Sequence, residues 1–255
     1  MALFSKKSGK SSRDKVYCTA VITAAGTSQR MDGEDKLFIE ICGAPVLAHS
    51  LLAFQNCPCI NEIIIAARED KIGVVGSICE QYGIDKAVKI MLGGPTRLES
   101  VLNCVLAVSK RTQLIAIHDG ARPCVSADII ENTVHAAIDF HAAAPGVPVS
   151  STLKRVKNGI IIETVGREDL AEIQTPQVFA ADLIKGALTN ALHRAGDITD
   201  DCLAAELIGV PVHVTEGSRK NIKLTTAEDI MIAESILTEN RGGLLSGNNR
   251  GCGGH

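Results

Sequence analysis

The chain has 255 residues, 45% hydrophobic and 22% charged, enough for one large α/β domain or two small ones with a sizeable core. A net charge of −3 and 3% aromatic residues with no Trp exclude a nucleic-acid-binding composition and a base-stacking platform, so any anion site must be local. The apolar stretches are too short to span a bilayer, and no secretory signal is read; with nine cysteines lacking CxxC pairs, this predicts a reduced, cytoplasmic protein.

In chain order, residues 1–15 are polar and read as a disordered tail. Val16–Thr23 reads as a buried strand. A helix over Pro45–Gln55, a strand over Glu62–Ala67, a helix over Lys71–Tyr82 and a strand over Ala87–Met91 follow. Leu98–Ser109 reads as a helix, Leu114–His118 as a strand and Ala127–Phe140 as a helix. Strands separated by helices predict an α/β fold, a doubly wound and mostly parallel sheet with helices on both faces. Ligands bind such sheets outside the carboxyl ends of the strands, which selects the loops 24–36, 93–97 and 119–124.

The pattern changes between Val147 and Phe179. Pro148–Val156 and Gly159–Val165 read as extended segments joined at Asn158-Gly159, a strong hairpin signal. This predicts an inserted β-hairpin arm over about 148–178. Such an arm needs a cover, and a partner subunit would supply it, giving a homodimer. Helices over Ala180–His193 and Asp201–Leu207, a strand over Val210–Thr215 and a helix over Thr226–Leu237 complete a single domain spanning 16–240. The Gly- and Asn-rich 241–255 segment reads as a second disordered tail.

The most informative stretch is Ala24-Ala25-Gly26-Thr27-Ser28-Gln29-Arg30-Met31, with Lys36 beyond it. Small residues after a strand let backbone N–H groups approach phosphate oxygens, and Arg30 and Lys36 add cations to the same loop. The stretch is neither a Walker A loop nor a GxGxxG dinucleotide loop. Gly93-Gly94-Pro95-Thr96-Arg97 is a second glycine-bearing loop, able to meet a planar base edge or to serve as a simple turn into a helix. Ser100 either bonds a base or caps a helical turn. His118-Asp119-Gly120-Ala121-Arg122-Pro123 ends a strand. Asp119 there suits Mg²⁺, which prefers oxygen ligands, while Arg122 grips a phosphate or buttresses the loop. His118 reads as a hydrogen-bonded core histidine. Thr199-Asp200-Asp201 has the form of a helix N-cap, and Lys223 follows a strand so as to face the same crevice.

From about Thr19 to Glu234 these pieces, in this order, resemble the 2-C-methyl-D-erythritol 4-phosphate cytidylyltransferases of the non-mevalonate isoprenoid pathway. The residues that carry the resemblance are Ala24-Ala25-Gly26…Arg30-Met31…Lys36, Gly93-Gly94…Arg97…Ser100-Val101, His118 to Pro123, Gln174-Thr175-Pro176-Gln177…Phe179, Thr199-Asp200 and Asn221-Ile222-Lys223. The resemblance implies a nucleotide-diphospho-sugar transferase type of fold and a homodimer joined by the arm. It also implies a reaction of CTP with methylerythritol phosphate that releases pyrophosphate.

By position, the resemblance implies that Ala24, Ala25, Gly26 and Ser28, with Arg30 and Lys36, hold the triphosphate. Gly93, Gly94 and Ser100 would select cytosine, Gly120 would lie against the nucleotide, and Asp119 would help hold Mg²⁺. Thr152, Arg167, Thr175, Thr199 and Arg122 would serve the acceptor, and Lys223 would contact the reacting α-phosphate. Ser28 stands where that family usually has a second glycine, Pro95 where an acidic residue is common, and Ser151 where an Asp precedes the threonine. Alternatives are another polyol phosphate such as ribitol 5-phosphate, a non-catalytic nucleotide-binding regulator, or a nucleotidyltransferase using GTP.

Overall fold

The computed structural model describes residues 16–26, 35–194 and 198–247, with 240–247 as backbone only. Ser28 and Arg30 therefore lie outside the described residues. The chain runs β1 (Cys18–Ala24), a short ladder of β2 (Glu40–Ile41) and β3 (Ala44–Pro45), α1 (Val46–Asn56), β4 (Glu62–Ala67), α2 (Ile72–Gln81), β5 (Ala87–Leu92), α3 (Arg97–Leu106), β6 (Leu114–Asp119) and α4 (Ala127–Phe140). It continues with β7 (Ala142–Pro148), β8 (Leu153–Lys157), β9 (Ile160–Val165), β10 (Ala171–Ile173), β11 (Gln177–Ala180), α5 (Ala181–Ala191), α6 (Asp201–Glu206), β12 (His213–Glu216) and α7 (Glu228–Gly247).

β1, β4 and β6 are apolar runs whose alternate residues face opposite layers, whereas β5 at the sheet edge carries Lys89 and is partly exposed. Ala20 and Ile22 of β1 and Ile63 and Ile65 of β4 pack with α1, α4 and α7. Val21, Ile64, Ala66, Ile115 and Ile117 pack with α3, α5 and α6. Burial on both faces is what lets a parallel strand read as a continuous apolar run, and it confirms helices on each side of the sheet.

The central sheet has the order β10-β7-β11-β6-β1-β4-β5, with β12 on the other side of β7. β6, β1, β4 and β5 are mutually parallel, whereas β11 runs antiparallel between β6 and β7. From β1 the chain builds first through β4 to β5, then crosses to β6 on β1's other side. The crevice at this reversal lies between the ends of β1 and β6, where Thr23 pairs with Asp119.

Three strands of this sheet lie outside the sequence reading, and the expected arm is shorter than 148–178. Residues 171–173 and 177–180 return to the sheet as β10 and β11. β7 carries Ala, Gly and two Pro, residues with weak strand preference. It is a strand because β11 and β12 pair with it on either side. The hairpin itself is β8–β9, paired from Leu153↔Val165 to Lys157↔Ile160. Asn158 and Gly159 form its two-residue turn, both at positive φ, as a primed turn requires. At the other end of the chain α7 continues to Gly247, past the Leu237 limit and into the segment read as tail. Among the described residues no helix is long and apolar enough to cross a membrane.

Candidate active site

Asp119 ends β6 with only 7% of its surface exposed. Three cations surround its carboxylate. Lys223 Nζ lies 2.8 Å from Oδ2, Arg97 Nε 3.6 Å from Oδ1 and Arg122 Nε 3.8 Å from Oδ2. Burial alone would raise the Asp119 pKa, but Arg97, Lys223 and Arg122 outweigh it and hold the group well below the usual carboxylate range. Asp119 is therefore ionised at any working pH.

Lys36 joins this cluster from the β1 side, donating to the Leu224 carbonyl at 2.6 Å. Burial, then the neighbouring Lys223 ammonium, push its pKa below the ordinary lysine value, while Asp119, Asp35 and Asp229 pull it back up. The residue before it, Asp35, is clamped at 2.8 Å by Arg68, which follows β4. Leu224 N–H in turn bonds the Ala121 carbonyl at 2.9 Å, so the segments carrying Lys36, Asp119 and Lys223 are tied together.

Arg97 opens α3 just past the glycine loop and makes a bidentate pair with Asp201 of α6, at 3.0 and 2.7 Å. Burial opposes its charge, but Asp201 and Asp119 more than offset that and raise its pKa. Asp201 is 1% exposed. Lys36, Arg97, Arg122 and Lys223 thus converge on Asp119 and gather four cations at one crevice of a chain of net −3. That suits a polyphosphate.

The two glycine loops meet. A Cβ on Gly93 would lie 2.3 Å from the Ala25 Cβ, so only glycine lets the 93–97 loop close on the end of β1. Gly93 N–H donates to the Ala67 carbonyl at 2.9 Å, and Gly94 N–H to Ser100 Oγ at 3.0 Å. Thr96 and Glu99 form a reciprocal capping box at the start of α3. Ser100 is buried and donates to the Thr96 carbonyl at 2.9 Å, so its hydroxyl shapes the loop. Among the described residues nothing lies within 4 Å of where a Gly26 Cβ would be.

Several sequence-predicted contacts are internal instead. Gly120 is buried, its N–H bonds the Thr23 carbonyl and its carbonyl accepts from Ser50. A Cβ there would strike the Thr23 carbonyl at 2.8 Å, so the close approach of β1 by itself requires this glycine. Thr175 is 4% exposed, and its hydroxyl sits 2.9 Å from His118 Nδ1 behind Asp119, not at an acceptor surface. Arg122 donates to the Asn221 carbonyl at 2.7 Å, which is the buttressing role. Thr152 and Arg167 lie exposed at the base of the hairpin, where Arg167 bonds the Ser150 carbonyl. Thr199 is exposed beside Asp200, whose side chain caps α6 at Leu203 N–H.

His118 is fully buried beside the Phe54 ring, and burial pushes its pKa down to about 4. It is a neutral core histidine, as its apolar strand predicts. Arg97, Asp201, Gln174, Gln177 and Asn221 are the residues that the site reading left without roles. Gln177 Oε1 accepts from the Asp201 and Cys202 N–H groups, and Gln174 Nε2 donates to the Ser218 carbonyl at 2.8 Å. A cation immediately after a glycine loop and an Asp-Asp pair at a helix start were the available signals for Arg97 and Asp201.

The profile of the 2-C-methyl-D-erythritol 4-phosphate cytidylyltransferase family, IspD, matches residues 18–239. A relative of that name from Halalkalibacterium halodurans is 43% identical over 222 residues, covering 87% of this chain and 97% of the relative. One from Clostridium botulinum is 40% identical, over 86% of this chain and 96% of the relative. Among solved structures, the 4-diphosphocytidyl-2C-methyl-D-erythritol synthase from Anaerococcus prevotii superposes with a TM-score of 0.78 at 30% identity, covering 89% and 98% of the two chains. The Thermus thermophilus cytidylyltransferase does so at 0.70 and 28% identity, covering 86% and 98%. A doubly wound sheet with a cationic crevice at its reversal point, matched over nearly its whole described length, places this chain in the 2-C-methyl-D-erythritol 4-phosphate cytidylyltransferase family.

Proposed function

We propose that the crevice transfers the cytidylyl group of CTP to the phosphate of 2-C-methyl-D-erythritol 4-phosphate, releasing pyrophosphate and serving isoprenoid precursor synthesis. The observation that carries this is the convergence of Lys36, Lys223 and Asp119 at one sheet reversal, in a chain of this family. The acceptor phosphate is already an anion, so attack on the α-phosphorus needs neither a covalent nucleophile nor a general base. Catalysis then reduces to positioning and charge stabilisation. Lys223 and Lys36 offset charge that builds on the α-phosphate and on the departing pyrophosphate. Arg30, in the same loop as Lys36, is assigned to the triphosphate by sequence alone.

A divalent cation fits the donor set. Mg²⁺ is commonly held by one or two carboxylates together with substrate phosphates, and Asp119 is a permanently ionised carboxylate at the strand end. Among the described residues no group of three or more His, Cys, Asp or Glu forms a protein-only site. Asp119 with phosphate oxygens would therefore hold the ion, which supplies charge neutralisation on the triphosphate when bound.

The working unit is a cytoplasmic homodimer in this reading. Ile160, Ile161 and Ile162 of the hairpin are 67%, 62% and 55% exposed, and an isolated two-stranded hairpin is marginal in water. A second subunit packed there would cover them and bring Thr152 and Arg167 towards the acceptor. Cysteines without paired spacing support the cytoplasm. Pyrophosphate release tests the reaction, with CTP and Mg²⁺ and either methylerythritol 4-phosphate or ribitol 5-phosphate. Release with the former alone is expected; release only with ribitol phosphate would move the acceptor, and release with neither would overturn the reaction.

A further inference from the structure

Behind Asp119 lies a closed set of hydrogen bonds, several of them made by groups that can only donate or only accept. The Asp119 backbone N–H can only donate, and it does so to Thr175 Oγ1 at 3.2 Å. The Arg122 carbonyl can only accept, and His118 Nε2 lies 3.3 Å from it, so Nε2 carries the proton. The Thr175 hydroxyl then faces Nδ1 at 2.9 Å and donates to it, with the Thr175 carbonyl also turned towards the ring. Thr175 thus accepts from Asp119 and gives to His118, using its single proton.

The set closes through Asn221. Arg122 Nη1 donates to the Asn221 carbonyl at 2.7 Å, and Asn221 Nδ2 donates to the Thr175 carbonyl at 3.0 Å. The same amide reaches Gln174 Oε1 at 3.3 Å. Asn221 is two residues from Lys223, which pairs with Asp119 on the crevice side. The end of β6, the 174–177 turn and the 218–224 segment therefore share one buried set of bonds. Each of those segments comes from a different part of the chain.

We propose that Thr175 and His118 are positioning residues for the transfer: the Thr175 hydroxyl locks His118 as the Nε2–H tautomer and holds the Asp119 main chain and the Lys223 segment in working register. This rests on the reaction proposed above, but the hydrogen-bond set makes its own claim. Neither side chain reaches the crevice, since His118 is fully buried and Thr175 nearly so. Removing the Thr175 hydroxyl while keeping its shape strands the Asp119 N–H and the His118 Nδ1 without partners in a buried place.

The test has two arms. On the unaltered protein carrying ¹⁵N-labelled histidine, ring nitrogen shifts at neutral pH report the tautomer, and His118 is assigned by the signals lost in His118→Gln. A protonated Nε2 and a bare Nδ1 are expected; a protonated Nδ1 overturns the proposal whether or not any variant folds. In the second arm Thr175→Val is expected to lower kcat about 10- to 100-fold, as outer supports of a site commonly do, with KM for CTP unchanged. Thr175→Ser, which keeps the hydroxyl, is expected to restore most of the rate. Wild-type kcat in Thr175→Val, or a Thr175→Ser as slow as it, overturns the positioning role. Failure of the unaltered protein to turn over CTP would overturn the reaction reading instead, with the tautomer still measurable.

Discussion

Lys223 Nζ and Asp119 Oδ2 stand 2.8 Å apart across the mouth of the sheet reversal, the lysine exposed and the carboxylate buried. The pairing sets a resting state. The lysine neutralises the carboxylate, and in the proposed reaction substrate phosphates would offer it another partner. Arg97 and Arg122 lie further from Asp119, and each has a second protein acceptor, Asp201 and the Asn221 carbonyl. Lys223 is thus the cation best placed to change partners.

Lys36→Ala and Lys223→Ala are each expected to cut kcat by about 10²–10³, equivalent to ~3–4 kcal/mol of barrier, because each removes a charge aimed at a developing anion. Circular dichroism should be unchanged, since both ammonium groups lie at the crevice. Steady-state turnover with CTP reads the effect, and near-normal rates in both variants would remove the assignment.

Asp201→Asn is expected to cost about 3 kcal/mol of folding stability. It leaves the Arg97 guanidinium, held by two bonds to a buried carboxylate, without its main counter-charge. Urea unfolding measures it, and a change below about 1 kcal/mol would show that the pair does little for the fold.

His118 predicts a pH dependence of stability. Its folded pKa of about 4 lies below its ordinary value of 6.5, so the unfolded chain binds the proton first as pH falls. The contribution is complete above pH 6.5 and is lost progressively down to about pH 4, amounting to roughly 3 kcal/mol at 1.36 kcal/mol per pKa unit. Chemical denaturation across this window should show a shallower slope in His118→Gln. Parallel slopes would remove His118 as the cause.

The hairpin predicts an assembly effect without a folding effect. Ile160, Ile161 and Ile162 of β9, where the ladder shifts register opposite Arg155 and Val156, are already exposed in the single chain. Ile160→Asp with Ile162→Asp should convert the dimer to a monomer in sedimentation velocity while secondary structure is retained. A wild-type protein that sediments as a monomer would sink the dimer reading.

The sequence by itself determined the alternating elements from β1 to α4, the strand-end loops that build the crevice, and the Asn158-Gly159 turn. Each is written in local signals: apolar periodicity, glycine after a strand, and a dipeptide able to adopt positive φ. It also marked Lys36, Asp119 and Lys223 as residues on the strand-end side of the sheet, and the fold brings these three into one cluster. Only the tertiary structure decided that β11 enters antiparallel between β6 and β7, carrying Thr175 behind Asp119 across 56 residues of chain. It also decided that Arg97 finds Asp201 at a separation of 104 residues, and that Gly120 serves β1. The physical reason is that such pairings are non-local: a buried hydroxyl, guanidinium or glycine looks the same in sequence whatever partner folding brings to it.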